Sequence, residues 1–99
     1  MNKNVIIPSR AVADFCQKHR IVRLAVFGSA LRDDFTADSD IDILVDFEPG
    51  KEPGLIALGG MENELSEILG RKADLRTPQD LSSLFRDEVV KTAELQYAG

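Results

Sequence analysis

The chain has little of what several protein classes require. Its single cysteine cannot form a disulfide within one chain, which favours a reducing compartment such as the cytoplasm. No apolar run approaches the roughly 20 residues that cross a bilayer. The apolar residues 5–7 are followed directly by Pro8 and are too few for a secretory signal. We therefore expect a cytoplasmic protein that does not enter a membrane.

The chain also has no excess of basic residues. Its formal net charge is −5, which makes it a poor candidate for binding nucleic acid through phosphate neutralisation. We therefore expect no direct contact with nucleic acid. An excess of carboxylates suits a metal site or a basic partner, and it serves solubility equally well.

The sequence has no repeats, no low-complexity tract and no linker long enough to separate domains. With 99 residues, of which 43% are apolar, it fits one compact globular domain over residues 1–99. Such a domain has little room for a second lobe, so a macromolecular substrate would have to be held by a small surface or by a partner.

Hydrophobic periodicity predicts an alternation of helices and strands. We expect helices over residues 9–20, with Ser9 as N-cap, and over residues 55–69, ended by Gly70. Shorter helices are expected over residues 29–34, after Thr77-Pro78, and over residues 84–93. The predicted strands cover residues 21–27, 41–47 and 72–76, with an edge strand at 95–97 as an option. This order indicates an α/β or α+β fold with a small mixed sheet and helices mainly on one face.

Two carboxylates begin the strand predicted at residues 41–47. Asp40 and Asp42 lie two residues apart, so on an extended strand both side chains point to the same side. Paired carboxylates repel each other unless a cation lies between them, and Mg²⁺ prefers one or two carboxylates together with phosphate oxygens. The alternative is a solvated acidic turn in which Ser39 or Asp40 acts as a cap. In that strand Leu44 is the one apolar residue on the polar side.

A glycine–serine pair follows the preceding apolar strand. Gly28 lets backbone approach a ligand closely, and a helix that begins at Ser29 presents free N–H groups to an anion. Arg32, one turn into that helix, is placed to reach the same phosphates, or it is an ordinary exposed arginine. Alone, a Gly-Ser pair indicates only a turn. Combined with the acidic pair, it favours binding of a nucleoside triphosphate and a metal.

These motifs resemble those of the minimal nucleotidyltransferases of the DNA polymerase beta superfamily. That family carries Gly-Ser, about ten residues, and then Asp-x-Asp, within hydrophobic flanks; residues 24–29 (Leu-Ala-Val-Phe-Gly-Ser) and 39–45 (Ser-Asp-Ile-Asp-Ile-Leu-Val) match. A third carboxylate follows on a later strand, where this chain has Asp74. One departure is Asp33, where many relatives have glycine. The resemblance implies a polymerase beta-like nucleotidyltransferase fold.

The resemblance also implies roles for these residues. Asp40, Asp42 and Asp74 would bind two Mg²⁺ ions, and Gly28 and Ser29 would hold the phosphates of ATP. The reaction implied is in-line attack of an acceptor hydroxyl on the α-phosphorus with release of pyrophosphate. Lys72 and Arg76 alternate onto the face of Asp74, where they either contact the nucleotide or acceptor or simply face solvent.

Among family members of this size, the resemblance implies the antitoxin of a toxin–antitoxin pair that transfers AMP to a HEPN ribonuclease toxin. Two alternatives stay open at this point. The domain could neutralise its partner by binding alone, without catalysis, or it could be a nucleotidyltransferase that modifies a small molecule such as an aminoglycoside. An exposed edge at residues 95–97 leaves pairing with a second copy open.

Overall fold

The computed structural model describes residues 5–31 and 39–99. Within them it contains three α-helices, four strands and two short 3-10 helices. The α-helices are α1 (Ser9–Lys18), α2 (Leu55–Leu69) and α3 (Arg86–Thr92), and the strands are β1 (Ile21–Phe27), β2 (Ile41–Phe47), β3 (Ala73–Arg76) and β4 (Glu94–Ala98). The 3-10 helices are Gly28–Leu31 and Pro78–Asp80.

The strands form one mixed sheet in the order β3-β2-β1-β4. β1 pairs antiparallel with both β2 and β4, whereas β2 and β3 run parallel because α2 forms the crossover between them. The prediction of a small mixed sheet is confirmed. The optional edge strand exists, as β4, and is one residue longer at each end than the residues singled out in the sequence.

The core lies between one face of the sheet and the helices α1 and α2. β2 alternates as predicted, and its core-facing residues are buried beside those of β1 and β3. The helices contribute a narrow apolar stripe each, as their spacing predicts. The main members of this core are Val12, Phe15 and Cys16 of α1, Leu24, Val26, Ile41, Ile43 and Val45 of the central strands, Met61 and Leu65 of α2, and Leu75 of β3.

The ends of α1 differ from the prediction. Pro8, not Ser9, occupies the N-cap position, and its carbonyl accepts the N–H of Val12 at 3.0 Å without any side-chain cap. Ser9 is already helical, because Pro8 has the extended conformation that an N-cap needs. The helix also ends earlier than expected, at Lys18, and Arg20 then turns the chain into β1 with a φ of 60°.

The end of α2 is as predicted. Gly70 adopts the left-handed conformation, with a φ of 72°, and donates its N–H to the carbonyl of Ser66. The last helix is shorter than expected and spans only Arg86–Thr92, because Ala93 is already extended toward β4. Among the helices of residues 5–31 and 39–99, none has the length and hydropathy that crossing a bilayer requires.

Of the short helices predicted over residues 29–34 and after Thr77, the first runs beyond the described residues and the second is described in full. The helix predicted over residues 29–34 is a 3-10 helix, Gly28–Leu31, and the positions from 32 onward lie outside the described residues. The helix predicted after Thr77 is present as Pro78–Asp80. The Asp80 carboxylate accepts the Thr77 N–H at 3.1 Å and completes a capping box there.

The face of the sheet away from α1 and α2 is here called the open face. Leu44 lies on this face, as the one apolar residue of β2 among aspartates. Leu44 is only 5% exposed although it points away from the main core. It lines a cavity of about 240 Å³ together with Ala25, Val90 and Leu95. The chain segment through α3 and β4 therefore supplies apolar neighbours that the local strand pattern does not reveal.

Candidate active site

The open face brings two of the predicted acidic residues together. β2 and β3 are parallel neighbours, and their register places the Cα atom of Asp42 directly beside that of Asp74. Neighbouring strands lie about 4.8 Å apart, and residues in register point to the same face. Both side chains are partly exposed, whereas the residues before and after each of them are buried. The third carboxylate predicted from the sequence thus lies beside the second.

The glycine turn lies beside Asp42 as well, on the side of β2 opposite β3. Phe27, the last residue of β1, pairs with Asp42, so Gly28 follows immediately beside that carboxyl group. Gly28 has a φ of 68°, and a Cβ atom placed on it would lie 2.5 Å from Oδ2 of Asp42. Only glycine fits there without displacing the carboxylate. The geometry therefore joins the Gly-Ser turn to the acidic pair, as the spaced motif predicts.

Asp40 is placed differently from the other two. It precedes β2, its side chain is 47% exposed, and its Oδ2 lies 4.0 Å from Nζ of Lys72. Across residues 5–31 and 39–99, no three histidine, cysteine, aspartate or glutamate side chains lie close enough together to enclose a metal ion. Of the three predicted carboxylates, Asp42 and Asp74 are therefore neighbours in register, and Asp40 lies near Lys72.

The donor set fits a divalent cation in type and in backbone placement. Asp42 and Asp74 supply hard oxygen atoms from adjacent strands, and Asp40 directly precedes β2, two residues before Asp42. These three residues would hold Mg²⁺, which would supply charge stabilisation to a transferring phosphoryl group. The metal-binding roles of Asp40, Asp42 and Asp74 stay predictions.

The predicted phosphate site is only partly described. Gly28 and Ser29 begin the 3-10 helix, which turns the backbone away from β1 beside Asp42. The binding role of Ser29 stays a prediction, and Arg32 lies outside the described residues. Nζ of Lys72, which the sequence places on the Asp74 face, lies 4.0 Å from Asp40, and the Lys72 side chain is 70% exposed; ion pairs this exposed contribute little to stability.

Sequence reasoning missed two residues of α2 that contact β3 beside Asp74. Glu62 accepts the backbone N–H of Leu75 at 2.7 Å, and the hydroxyl of Ser66 accepts that of Ala73 at 2.9 Å. A signal for them exists in the sequence. Both residues lie four apart on α2, immediately after the buried Met61 and Leu65, where a polar pair must contact either solvent or the edge of the sheet.

The other reactive side chains lie away from this site. Burial raises the pKa of the Cys16 thiol to about 12, so the thiol is inert and packs as a core residue, as its helical spacing predicts. Glu64 joins α2 to the end of α1. Its carboxylate contacts His19 at 2.9 Å and Lys18 at 3.0 Å, and these hydrogen bonds, that of His19 foremost, lower the pKa of Glu64.

Comparison with known proteins shows the family of the chain. The family model described as "Nucleotidyltransferase domain" matches residues 9–95, which is most of the chain. The chain belongs to the nucleotidyltransferase domain family. A relative from Methanocaldococcus jannaschii, named as a candidate protein adenylyltransferase, is 37% identical over 94% of this chain and 96% of its own length. This nucleotidyltransferase domain is therefore an enzyme domain by family.

Solved structures confirm the fold of the nucleotidyltransferase domain. A candidate minimal nucleotidyltransferase superposes with a TM-score of 0.70 at 34% identity, covering 86% of this chain and 85% of that one. Two more distant structures share the fold alone. A toxin–antitoxin with AMP-PNP has a TM-score of 0.74 at 19% identity over 93% of this chain and 74% of that one. The toxin–antitoxin MntA-HepT has a TM-score of 0.66 at 18% identity over 92% and 70%.

Proposed function

We propose that this nucleotidyltransferase domain transfers AMP from ATP to a protein partner, with Mg²⁺ as cofactor, and that it acts as an antitoxin that silences a HEPN ribonuclease toxin. The observation that carries the catalytic part is the register of β2 and β3. It places Asp42 beside Asp74, with Gly28 against the Asp42 carboxylate. Two carboxylates beside a glycine turn support phosphate binding and metal-assisted transfer in a chain with this motif.

The reaction follows from the groups present. An acceptor hydroxyl oxygen bonds to the α-phosphorus of ATP, the bond between that phosphorus and the oxygen bridging to the β-phosphate breaks, and pyrophosphate leaves. The hydroxyl proton passes to a base, for which Asp74 is the candidate. The backbone at Gly28 and Ser29 orients the leaving phosphates. When bound, Mg²⁺ neutralises charge on the phosphates and lowers the pKa of the attacking hydroxyl.

The proposed protein partner is supported by similar proteins and by the exposed surface of the chain. The M. jannaschii relative is named for action on protein, and the structures of toxin–antitoxin complexes share this fold. The part of the chain described here also leaves several large apolar side chains exposed near its C-terminal end, which suits a protein partner. The most exposed of them are Leu84, Phe85 and Leu95.

The test uses the full chain with the HEPN protein encoded nearest to its gene. Both are incubated with Mg²⁺ and ATP labelled at the α-phosphate, and in parallel with ATP labelled at the γ-phosphate. We expect label on the partner from the α-labelled nucleotide only, because adenylyl transfer releases the γ-phosphate in pyrophosphate. Absence of label on a folded partner in an intact complex would contradict the proposal.

A double variant separates catalysis from binding alone. In Asp40→Asn/Asp42→Asn the acidic donors are lost while the side-chain volumes stay, so the fold should persist. We expect this variant to bind the partner without modifying it and to leave the ribonuclease active. Full neutralisation by the double variant would instead identify a non-catalytic antitoxin. Labelling of an aminoglycoside, with none on the partner, would identify a small-molecule acceptor.

A further inference from the structure

We infer that Glu62 and Ser66 of α2 are positioning residues that hold Asp74 in register with Asp42 by binding the backbone of β3 on both sides of it. The inference deepens the proposed function and rests on it for the role of Asp74. The hydrogen bonds themselves are features of the fold.

Two hydrogen bonds between β3 and α2 lie on either side of Asp74. Leu75, directly after Asp74, donates its N–H to Oε2 of Glu62 at 2.7 Å, and Ala73, directly before it, donates its N–H to Oγ of Ser66 at 2.9 Å. Successive residues of a strand direct their N–H groups to opposite edges, and Lys72, directly before Ala73, faces β2, since its carbonyl accepts the N–H of Ile41 at 2.9 Å. The N–H groups of Ala73 and Leu75 therefore point outward, away from β2, and α2 supplies an acceptor for each.

The two acceptors are linked to each other. Ser66 donates its hydroxyl proton to the carbonyl oxygen of Glu62 at 2.7 Å while it accepts the N–H of Ala73. The hydroxyl is thus oriented by one bond to make the other. Because Glu62 contributes its carboxylate to Leu75 and its carbonyl to Ser66, both contacts with β3 depend on one helical turn of α2.

β3 needs such support because it is short and lies at the edge of the sheet. It spans four residues, and within the described residues 5–31 and 39–99 its one strand neighbour is β2. A short edge strand has few ladder hydrogen bonds to resist fraying, and its outer N–H groups otherwise pair with water or with another strand. A carboxylate acceptor makes a charge-assisted bond, which is stronger than a neutral one. Loss of the Glu62 bond should therefore loosen β3 at Asp74.

The chemical consequence is specific. A shift of the Asp74 carboxylate would affect activation of the attacking hydroxyl. The proposed phosphate contacts lie at Gly28, directly after β1, and not on β3. We therefore expect loss of these bonds to lower kcat and to leave the KM for ATP nearly unchanged. A displacement of about 1 Å at a reacting group can reduce a rate about 100-fold.

The experiment compares Glu62→Ala with Glu62→Gln, and Ser66→Ala with Ser66→Thr, in the transfer assay with the cognate partner. Glu67→Ala, at an exposed position of the same helix, is the matched control. We expect Glu62→Ala to lower kcat at least about tenfold with the KM for ATP within about twofold of the original. Glutamine keeps the acceptor oxygen and should restore most of kcat, and threonine should do the same at position 66.

Amide hydrogen exchange supplies a readout that does not depend on activity. The N–H of Leu75 should exchange faster in Glu62→Ala than in Glu62→Gln, and the N–H of Ala73 faster in Ser66→Ala than in Ser66→Thr. If Glu62→Ala does not fold, the serine pair carries the same comparison.

Three results would overturn the inference: an unchanged kcat in folded Glu62→Ala, an equal loss in Glu62→Gln, or unchanged exchange at Leu75 and Ala73. If the unmodified chain transfers no label at all, the proposed function fails. Exchange at Leu75 and Ala73 then decides by itself whether Glu62 and Ser66 hold β3.

Discussion

The two faces of the sheet are formed by the same strands, but one packs into the core and the other carries the candidate site. The face toward α1 and α2 is closed, with Val26, Ile43 and Leu75 fully buried. The open face presents Asp42 and Asp74 from positions adjacent to those residues in the chain. Since the side chains of a strand alternate between faces, each of these strands contributes to the core and to the site at once. Single substitutions should therefore change either the free energy of unfolding or the transfer activity without changing the other.

The largest effect is expected on the open face. Asp42→Asn removes a carboxylate that the proposed metal site requires, and we expect transfer to fall roughly a thousandfold, equivalent to about 4 kcal/mol of transition-state stabilisation. The free energy of unfolding should hold or rise, because a like charge beside Asp74 is gone. Asp46→Asn, on the same strand and face, is the control and should retain transfer. Labelling rates and denaturant unfolding measure both quantities.

A marked loss of stability in Asp42→Asn would contradict the expectation that the open face contributes to chemistry and not to stability. It would mean that the carboxylate is part of what holds the sheet together.

The converse substitution lies in the core. Leu65→Ala on α2 removes a fully buried side chain, and we expect the free energy of unfolding to fall by about 2–5 kcal/mol. That is a large part of the roughly 5–15 kcal/mol typical of a domain. The fraction that stays folded should keep its KM for ATP. Chemical denaturation checks the first expectation and transfer kinetics at low temperature the second; a changed KM would show that the core and the site are coupled.

Gly28 follows the end of β1 and lies against the Asp42 carboxylate, so its substitution should affect both stability and the site. In Gly28→Ala the methyl group meets the Asp42 carboxylate, and the left-handed backbone becomes strained. We expect a cost of about 1–3 kcal/mol in stability and a loss of nucleotide binding. Gly50→Ala is the control, since its φ is 80° but a Cβ there meets nothing within 4 Å. Equal effects of the two substitutions would remove the case for a special contact at Gly28.

The smallest effect is expected on the helix side, at Glu64. The hydrogen bonds from His19 and Lys18 lower the pKa of Glu64 in the folded chain. Their contribution to stability is therefore complete above the unfolded pKa of about 4.3 and disappears as the pH falls through the lower folded value. Glu64→Gln should flatten this acid dependence and leave transfer unchanged. Thermal unfolding from about pH 2 to about pH 6, a range that brackets the titration of glutamate, measures it.

If Glu64→Gln altered transfer instead, the helix side would take part in the chemistry. The separation of the two faces would then be incomplete.

Much of the fold was predictable because its signals are local. The alternation of β2, the glycine that ends α2 and the short helix after Thr77 depend on residues close together in the chain, and the structure has all three. The N-terminal end of α1 was not, because Pro8 and Ser9 are both compatible with an N-cap and the choice depends on how the segment packs. The burial of Leu44 was hidden because its neighbours Val90 and Leu95 come from the far end of the chain.

The two-residue period of a strand and the turn at Gly28 are local features, so the amino-acid pattern alone specifies which residues can take part in the candidate site and which face of each strand they occupy. Three further features come from the packing of distant segments: Asp74 lies beside Asp42, Asp40 lies near Lys72, and Glu62 and Ser66 bind the edge of β3. The register of two parallel strands depends on how the connecting helix packs against the sheet, and no pattern within either strand specifies that packing.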